Sequence, residues 1–99
     1  MSASFPVSAS GTYTGTTAAL TTQVGFRPDI IIAWNQTDST APFLWTSDMA
    51  ATTVCNLATG ATIAESITVT DHGFTVPASG TITNVNTKVY IYVCYRNQK

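Results

Sequence analysis

The sequence predicts an all-β fold, a compact antiparallel β-sandwich of about seven or eight short strands with negligible helix. Thr is the commonest residue with 19 copies, whereas Leu occurs only 3 times. Thr, Val and Ile favour strands, and a scarcity of Leu disfavours helices. The 99 residues are enough for one domain. We expect an extended N-terminal arm over residues 1–11 and a single β-sandwich domain over residues 12–99.

The central strand is predicted at residues 30–34, within the stretch Val-Gly-Phe-Arg-Pro-Asp-Ile-Ile-Ile-Ala-Trp. Gly25 permits a backbone bend before this strand, and Pro28 biases Arg27 towards extended geometry. The run of three isoleucines lacks alternation, which is typical of a strand that is covered on both faces. We therefore place this strand in the middle of a sheet.

The other predicted strands are short apolar segments between clusters of turn-forming residues. They cover residues 19–24, 43–46, 53–57, 62–70, 74–76 and 88–96, with a short strand or turn at 12–17. In residues 62–70 apolar and polar residues alternate, as in a half-buried strand, and Asp71-His72-Gly73 predicts the turn that leads back into residues 74–76.

Charge and hydropathy exclude several classes of partner. Charged residues make up 9% of the chain, the net charge is −1, and the mean hydropathy is +0.17. The four basic residues do not cluster, so we expect no nucleic-acid partner. The longest apolar run, residues 89–95, is far shorter than the roughly 20 residues of a membrane-spanning helix, so we expect no membrane partner.

The two cysteines and the few catalytic residue types predict neither a disulfide nor an active site. The N-terminal segment lacks a basic region and an apolar run, so we expect no secretion signal and predict Cys55 and Cys94 to be free thiols. His72 is the only histidine and lies at a predicted turn. The acidic residues are scattered singly, and no phosphate-binding loop is present. We therefore predict no enzyme activity, no cofactor and no metal site.

Two tryptophans are candidate binding residues. Trp34 and Trp45 flank a turn-rich loop at residues 35–42 and have flat faces that suit a sugar ring or a protein. The alternative is that both side chains pack inside the sandwich.

The closing strand and the N-terminal arm are candidate interfaces. Tyr90 and Tyr92 share a predicted strand face with Lys88 and Arg96, whereas Val89, Ile91, Val93 and Tyr95 occupy the opposite face. An amphipathic face of this kind is typical of an interface, and the alternative is a second sheet packed over it. Phe5, Pro6 and Val7 are the candidate contact residues of the arm.

Four short motifs occur in a recognisable order. They are Tyr13-Thr14-Gly15, Gly25-Phe26-x-Pro28-Asp29, Asp71-x-Gly73-Phe74 and the aromatic strand Val89-Tyr90-Ile91-Tyr92. With these motifs the chain resembles a small all-β domain of tailed-phage virion proteins, found at the ends of tail fibres and as stand-alone structural proteins. That family often carries a lysine just past the central strand, where this chain has Asn35 and Gln36. The resemblance transfers no catalytic residue.

The resemblance implies a virion structural protein that is usually oligomeric. A capsid decoration or cement protein is favoured, because a chain of this length has no room for both an adaptor and a fibre shaft. The expected partners are copies of itself, with a homotrimer favoured, and phage capsid or tail proteins; the expected location is the virion, assembled in the host cytoplasm. The alternative is a tail-fibre receptor-binding tip that recognises a host glycan through Trp34, Trp45 or the loop at residues 35–42.

Overall fold

The computed structural model describes residues 8–40, 42–49, 52–78 and 81–96. Within these ranges nine strands form two antiparallel sheets and there is no helix, which confirms the predicted all-β sandwich. The strands are, in chain order, β1 (Ser8–Thr14), β2 (Leu20–Gln23), β3 (Ile30–Asn35), β4 (Phe43–Thr46), β5 (Val54–Asn56), β6 (Thr62–Ile63), β7 (Thr68–Val69), β8 (Gly73–Val76) and β9 (Val89–Tyr95).

The larger sheet has six strands in the order β1-β9-β3-β4-β5-β6. Ile32 in β3 lies opposite Val93 in β9 and Leu44 in β4, so the predicted central strand is an interior strand of this sheet. β1 pairs with β9 from Ser8 to Thr14 without a break in register. The part of the predicted arm from Ser8 onwards therefore belongs to the sheet, and residues 1–7 lie outside the described residues.

The smaller sheet has the order β2-β8-β7 and covers one face of the larger sheet. Aromatic side chains from both sheets meet in the core between them. The ring of Tyr13 stacks on Tyr90 with 4.8 Å between centroids, and Phe74 meets Tyr13 and Tyr92 edge-on at 6.1 and 5.5 Å. Edge-to-face and offset contacts of this kind stabilise a core beyond the area that they bury. The core thus lies on the inner face of the larger sheet.

The predicted strand at residues 62–70 was wrong in its continuity. It is two strands, because β6 pairs with β5 in the larger sheet and β7 pairs with β8 in the smaller one. Residues 64–67 cross between the sheets, and the buried Glu65 lies in this crossing.

The carboxylate of Glu65 accepts five hydrogen bonds from the segment at residues 81–83. Oε2 accepts from the backbone N–H of Thr81 (3.0 Å), its hydroxyl (2.7 Å) and the N–H of Ile82 (2.9 Å). Oε1 accepts from the N–H (3.0 Å) and the hydroxyl (2.7 Å) of Thr83. Burial raises the pKa of Glu65, but these hydrogen bonds outweigh it and hold the pKa below its usual range.

The same segment is held from the core side. The hydroxyl of Tyr13 donates to the carbonyl of Thr83 (2.8 Å), and that of Tyr90 donates to the carbonyl of Ile82 (2.7 Å). Asn84 donates to the carbonyls of Ala18 (2.9 Å) and Pro77 (2.8 Å). Residues 81–84 therefore form no strand, and side chains satisfy their backbone groups in place of a sheet.

Candidate interaction surface

The outer face of the larger sheet, which points away from the smaller sheet, is apolar. Side chains alternate along each strand, so the residues between the buried ones in β9, β3, β4 and β5 point outwards. We call this set the outer face, and its members are Ile30, Ile32, Trp34, Leu44, Cys55, Val89, Ile91, Val93 and Tyr95. All are partly exposed, and Tyr95 is 44% exposed. No other described strand lies over them.

The apolar residues of the outer face are contiguous. In the central row Val93, Ile32, Leu44 and Cys55 are cross-strand neighbours in succession. In the adjacent row Trp34 lies opposite Ile91. These pairs are close enough for their side chains to touch, so they form one patch.

A polar rim flanks this patch on both sides. The central row ends at Ser10 in β1 and at Thr62 in β6, and both are exposed. The outward positions of β1 are all serine or threonine. An apolar centre with a polar rim is the usual anatomy of a protein–protein interface.

The size and the charge of the outer face suit association. The four strands have seven, six, four and three residues. With a spacing of about 4.8 Å between strands and a rise of about 3.3 Å per residue, they give a patch of roughly 300 Å². This is comparable with the largest apolar patch on a typical monomer, which is often functional. None of the outward positions in β9, β3, β4 or β5 carries a formal charge. Nothing in these strands therefore opposes contact with a second uncharged surface.

The predicted interface at Tyr90 and Tyr92 was on the wrong face of the closing strand. Tyr90 is 0% exposed and Tyr92 is 7% exposed, because the smaller sheet packs over them through Phe74. The Tyr90 hydroxyl donates to the carbonyl of Ile82, and burial raises the pKa of both phenols. The opposite face of β9, from Val89 to Tyr95, is the one that faces outwards.

The two tryptophans separate. Trp34 is a member of the outer face, whereas Trp45 points into the core and is 5% exposed. Trp45 therefore follows the alternative that its side chain packs inside the sandwich. The predicted contact residues Phe5, Pro6 and Val7 lie outside the described residues.

A cleft of about 490 Å³ opens beside Trp45, between the ends of the two sheets. Its walls include Arg27, Met49 and Ile67. The indole Nε1–H of Trp45 is buried, and no described residue accepts a hydrogen bond from it. Arg27 and Asp71 form a 3.8 Å ion pair there, and both side chains are well exposed, so the pair contributes little.

The described residues hold few groups with reactive chemistry. No three His, Cys, Asp or Glu side chains in this part of the chain group in a way that would hold a metal ion. Cys94 faces the core and Cys55 the outer face of the same sheet, so no disulfide can join them in this fold. Burial raises the pKa of the Cys94 thiol to about 12.

The sequence does not predict the outer face, because apolar residues on both faces of a strand indicate that the strand is buried. The run of isoleucines in β3 and the two apolar faces of β9 predict strands covered on both sides, and the described part of the chain supplies only one covering layer. Asking what forms the second layer would have located the surface.

The comparisons with known proteins give no relative. No model of a protein family, no curated protein and no solved structure matches this chain. In the described ranges no helix is long and apolar enough to cross a membrane.

Proposed function

We propose that this chain is a non-enzymatic structural protein of a tailed-phage virion, a capsid decoration or cement protein that binds the virion surface as a homotrimer. The apolar, uncharged outer face carries the assembly part of this proposal. The resemblance of its motifs to tailed-phage virion domains supports the virion part.

The resemblance favours three copies over two, because phage shells and fibres offer three-fold symmetry. Stable interfaces bury about 1,200–2,000 Å² in total, and crystal contacts mostly bury less than about 800 Å². Two outer faces of roughly 300 Å² each would bury about 600 Å² in a dimer, and a trimer would divide three such faces, about 900 Å², among three contacts. Both totals lie below the range of standard stable interfaces, so the area of the outer face does not choose between a dimer and a trimer.

A charge at the centre of the outer face tests the trimer. Ile32 lies between Val93 and Leu44, so Ile32→Lys would place a lysine in the middle of the contact. Thr62→Lys is the matched control, because Thr62 is exposed at the rim of the same sheet. By analytical ultracentrifugation at micromolar concentration, we expect the wild type and Thr62→Lys to have a mass that is a whole multiple of three 10.5 kDa chains. Ile32→Lys should lose this three-fold assembly. A monomeric wild type would refute the trimer.

The virion role needs a separate measurement. Particles purified from a phage that encodes this chain should contain it, and cryo-EM should place its density at three-fold or quasi-three-fold positions of the shell. Its absence from the particles would reject the virion role and leave the trimer result intact.

The outward position of Trp34 favours one alternative, a tail-fibre tip that binds a host glycan. Trp34 is partly exposed and is the last residue but one of β3, close to the turn that follows this strand. Its indole is thus placed to stack on a sugar ring. Glycan-array binding that is abolished by Trp34→Ala would favour this alternative, because the trimer buries Trp34.

A further inference from the structure

Among the described strands, β1 forms an open edge of the larger sheet. It is the last strand in the order β1-β9-β3-β4-β5-β6 and runs for seven residues, Ser-Ala-Ser-Gly-Thr-Tyr-Thr. The strand contains no proline and no charged residue, and its unbroken register with β9 leaves no bulge. Prolines, charged residues and bulges are the features by which proteins usually prevent pairing at a sheet edge, and β1 lacks all three. The opposite edge, β6, is only two residues long.

The backbone groups that face the open edge can be assigned. The N–H of Gly15 donates to the carbonyl of Lys88 (2.8 Å), and the carbonyl of Gly15 accepts from Thr87 (2.9 Å). Because bonding direction alternates along an antiparallel strand, Tyr13 and Gly11 also point their backbone groups towards β9. Their neighbours point away from β9, and the open edge is formed by the N–H and C=O groups of Ser8, Ser10, Thr12 and Thr14.

We propose that β1 pairs antiparallel with β1 of a second copy, across a two-fold axis at Gly11, so that the two larger sheets form one continuous sheet. In this register Ser10 of one copy lies opposite Thr12 of the other, and Ser8 lies opposite Thr14. Each of these pairs exchanges two backbone hydrogen bonds, so the contact makes about eight.

The side chains of β1 suit a second copy of the same strand. All residues that would meet on the outer side are serine or threonine, which form favourable cross-strand pairs. The smaller sheet already contains such a pair, in which the hydroxyls of Thr21 and Thr75 lie 2.8 Å apart. Since β1 has no charge, two copies approach without repulsion.

The edge contact is compatible with the proposed trimer and does not depend on the virion role. The outer face lies on β9, β3, β4 and β5, whereas the edge contact uses the far side of β1. A two-fold contact that joins trimers gives a hexamer, and without the trimer contact it gives a dimer. The number of chains in the assembly is therefore even.

Residue-resolved amide hydrogen exchange tests the pairing. On raising the concentration from the monomeric to the assembled range, we expect exchange at Ser10, Thr12 and Thr14 to slow at least about tenfold. The amides of Gly11 and Tyr13 should be protected at both concentrations, because they bond to β9. Fast exchange at Ser10, Thr12 and Thr14 in an assembled sample would overturn the proposal. Protection of these three amides in a monomer would also overturn it, since the chain itself would then cover the edge.

Two variants at one position give an independent readout. Thr12→Pro removes an N–H that points to the open edge and leaves the bonds to β9 intact, and Thr12→Val is the control that keeps this N–H. We expect Thr12→Pro to halve the mass of the assembly, from six chains to three or from two to one, and Thr12→Val to leave it unchanged. Thr12→Lys, which adds a charge at an exposed position, should act like Thr12→Pro if the proline variant fails to fold. An unchanged mass in both disruptive variants would refute edge pairing while leaving the Ile32→Lys result to decide the trimer.

Discussion

Replacing Glu65 with glutamine should destabilise the fold strongly, although it only replaces one carboxylate oxygen with an NH₂ group. The carboxylate is 8% exposed and accepts five hydrogen bonds. A glutamine keeps one acceptor oxygen and replaces the other with an NH₂ group. That group can donate to a hydroxyl that rotates, but it cannot accept from a backbone N–H.

The loss in free energy of unfolding depends on which orientation of the glutamine amide costs less. If the NH₂ group faces Thr83, the buried backbone N–H of Thr83 loses its acceptor. In the opposite orientation the backbone N–H groups of both Thr81 and Ile82 lose theirs. A buried unsatisfied donor costs about 1–3 kcal/mol, and the remaining hydrogen bonds lose their charge assistance. We expect Glu65→Gln to lower the free energy of unfolding by about 2–4 kcal/mol, which corresponds to a fall in Tm of roughly 10–20 °C for a domain of this size.

Urea unfolding followed by tryptophan fluorescence measures this loss. Asp48→Asn is the matched control, since it also removes one negative charge but at an exposed position, and it should change stability by less than about 0.5 kcal/mol. If Glu65→Gln does not fold, Thr81→Val removes one of the five donors at an exposed residue and should cost about 1 kcal/mol. A folded Glu65→Gln protein with wild-type stability would refute the reasoning.

The remaining predictions concern pH, thiols and strain. Folding lowers the pKa of Glu65, so the stability that its ionised carboxylate contributes is complete above the unfolded pKa of about 4.3 and is lost as pH falls through the folded pKa. In urea unfolding, the difference in free energy of unfolding between wild type and Glu65→Gln should therefore shrink as the pH is lowered into this range. When native protein is alkylated and its intact mass is followed, Cys94 should not react, and Cys55 should react faster in Ile32→Lys than in assembled wild type. Protein that is denatured without reduction should gain one adduct at each cysteine. Thr87→Asn should gain about 0.5–1 kcal/mol in thermal unfolding, because Thr87 has φ 69°.

The strands were predictable from the sequence where local pattern decides them. The strand at residues 43–46 occurs as predicted, and those at 30–34 and 74–76 differ by a single residue at one end. These segments are short apolar runs with turn formers on both sides, so hydrophobic periodicity and turn chemistry agree. Gly25 also takes the predicted bend, with φ at 91°.

The crossing at residues 64–67 was not predictable from local pattern. Ile63, Ile67 and Val69 alternate with polar residues as a continuous strand would. The break depends on Glu65 and on its five donors, which lie 16 to 18 residues further along the chain. Such a non-local polar contact has no signature in hydrophobic periodicity.

The orientation of the closing strand was also beyond local pattern. Both faces of β9 are apolar, and an aromatic face beside Lys88 and Arg96 has the composition of an interface. Tertiary contacts decide the outcome instead. Tyr13 stacks on Tyr90, and the Tyr90 hydroxyl bonds to Ile82, so the tyrosines face inwards. Lys88 and Arg96 lie just beyond the two ends of the strand, where Lys88 reaches Asp38 at 3.2 Å and Arg96 lies 5.9 Å from the ring of Phe26.

β3 and β9 have two apolar faces each but only one covering layer in the described part of the chain, and this difference is an argument for assembly. A strand with apolar residues on both faces is stable in water only when each face is covered, because apolar surface left in water forfeits about 25 cal/mol per Å². β3 and β9 have such residues on both faces, yet the described part of the chain folds into two layers, and the smaller sheet covers one face alone. The outward residues of β3 and β9 therefore favour the proposed contact with a second copy of the chain.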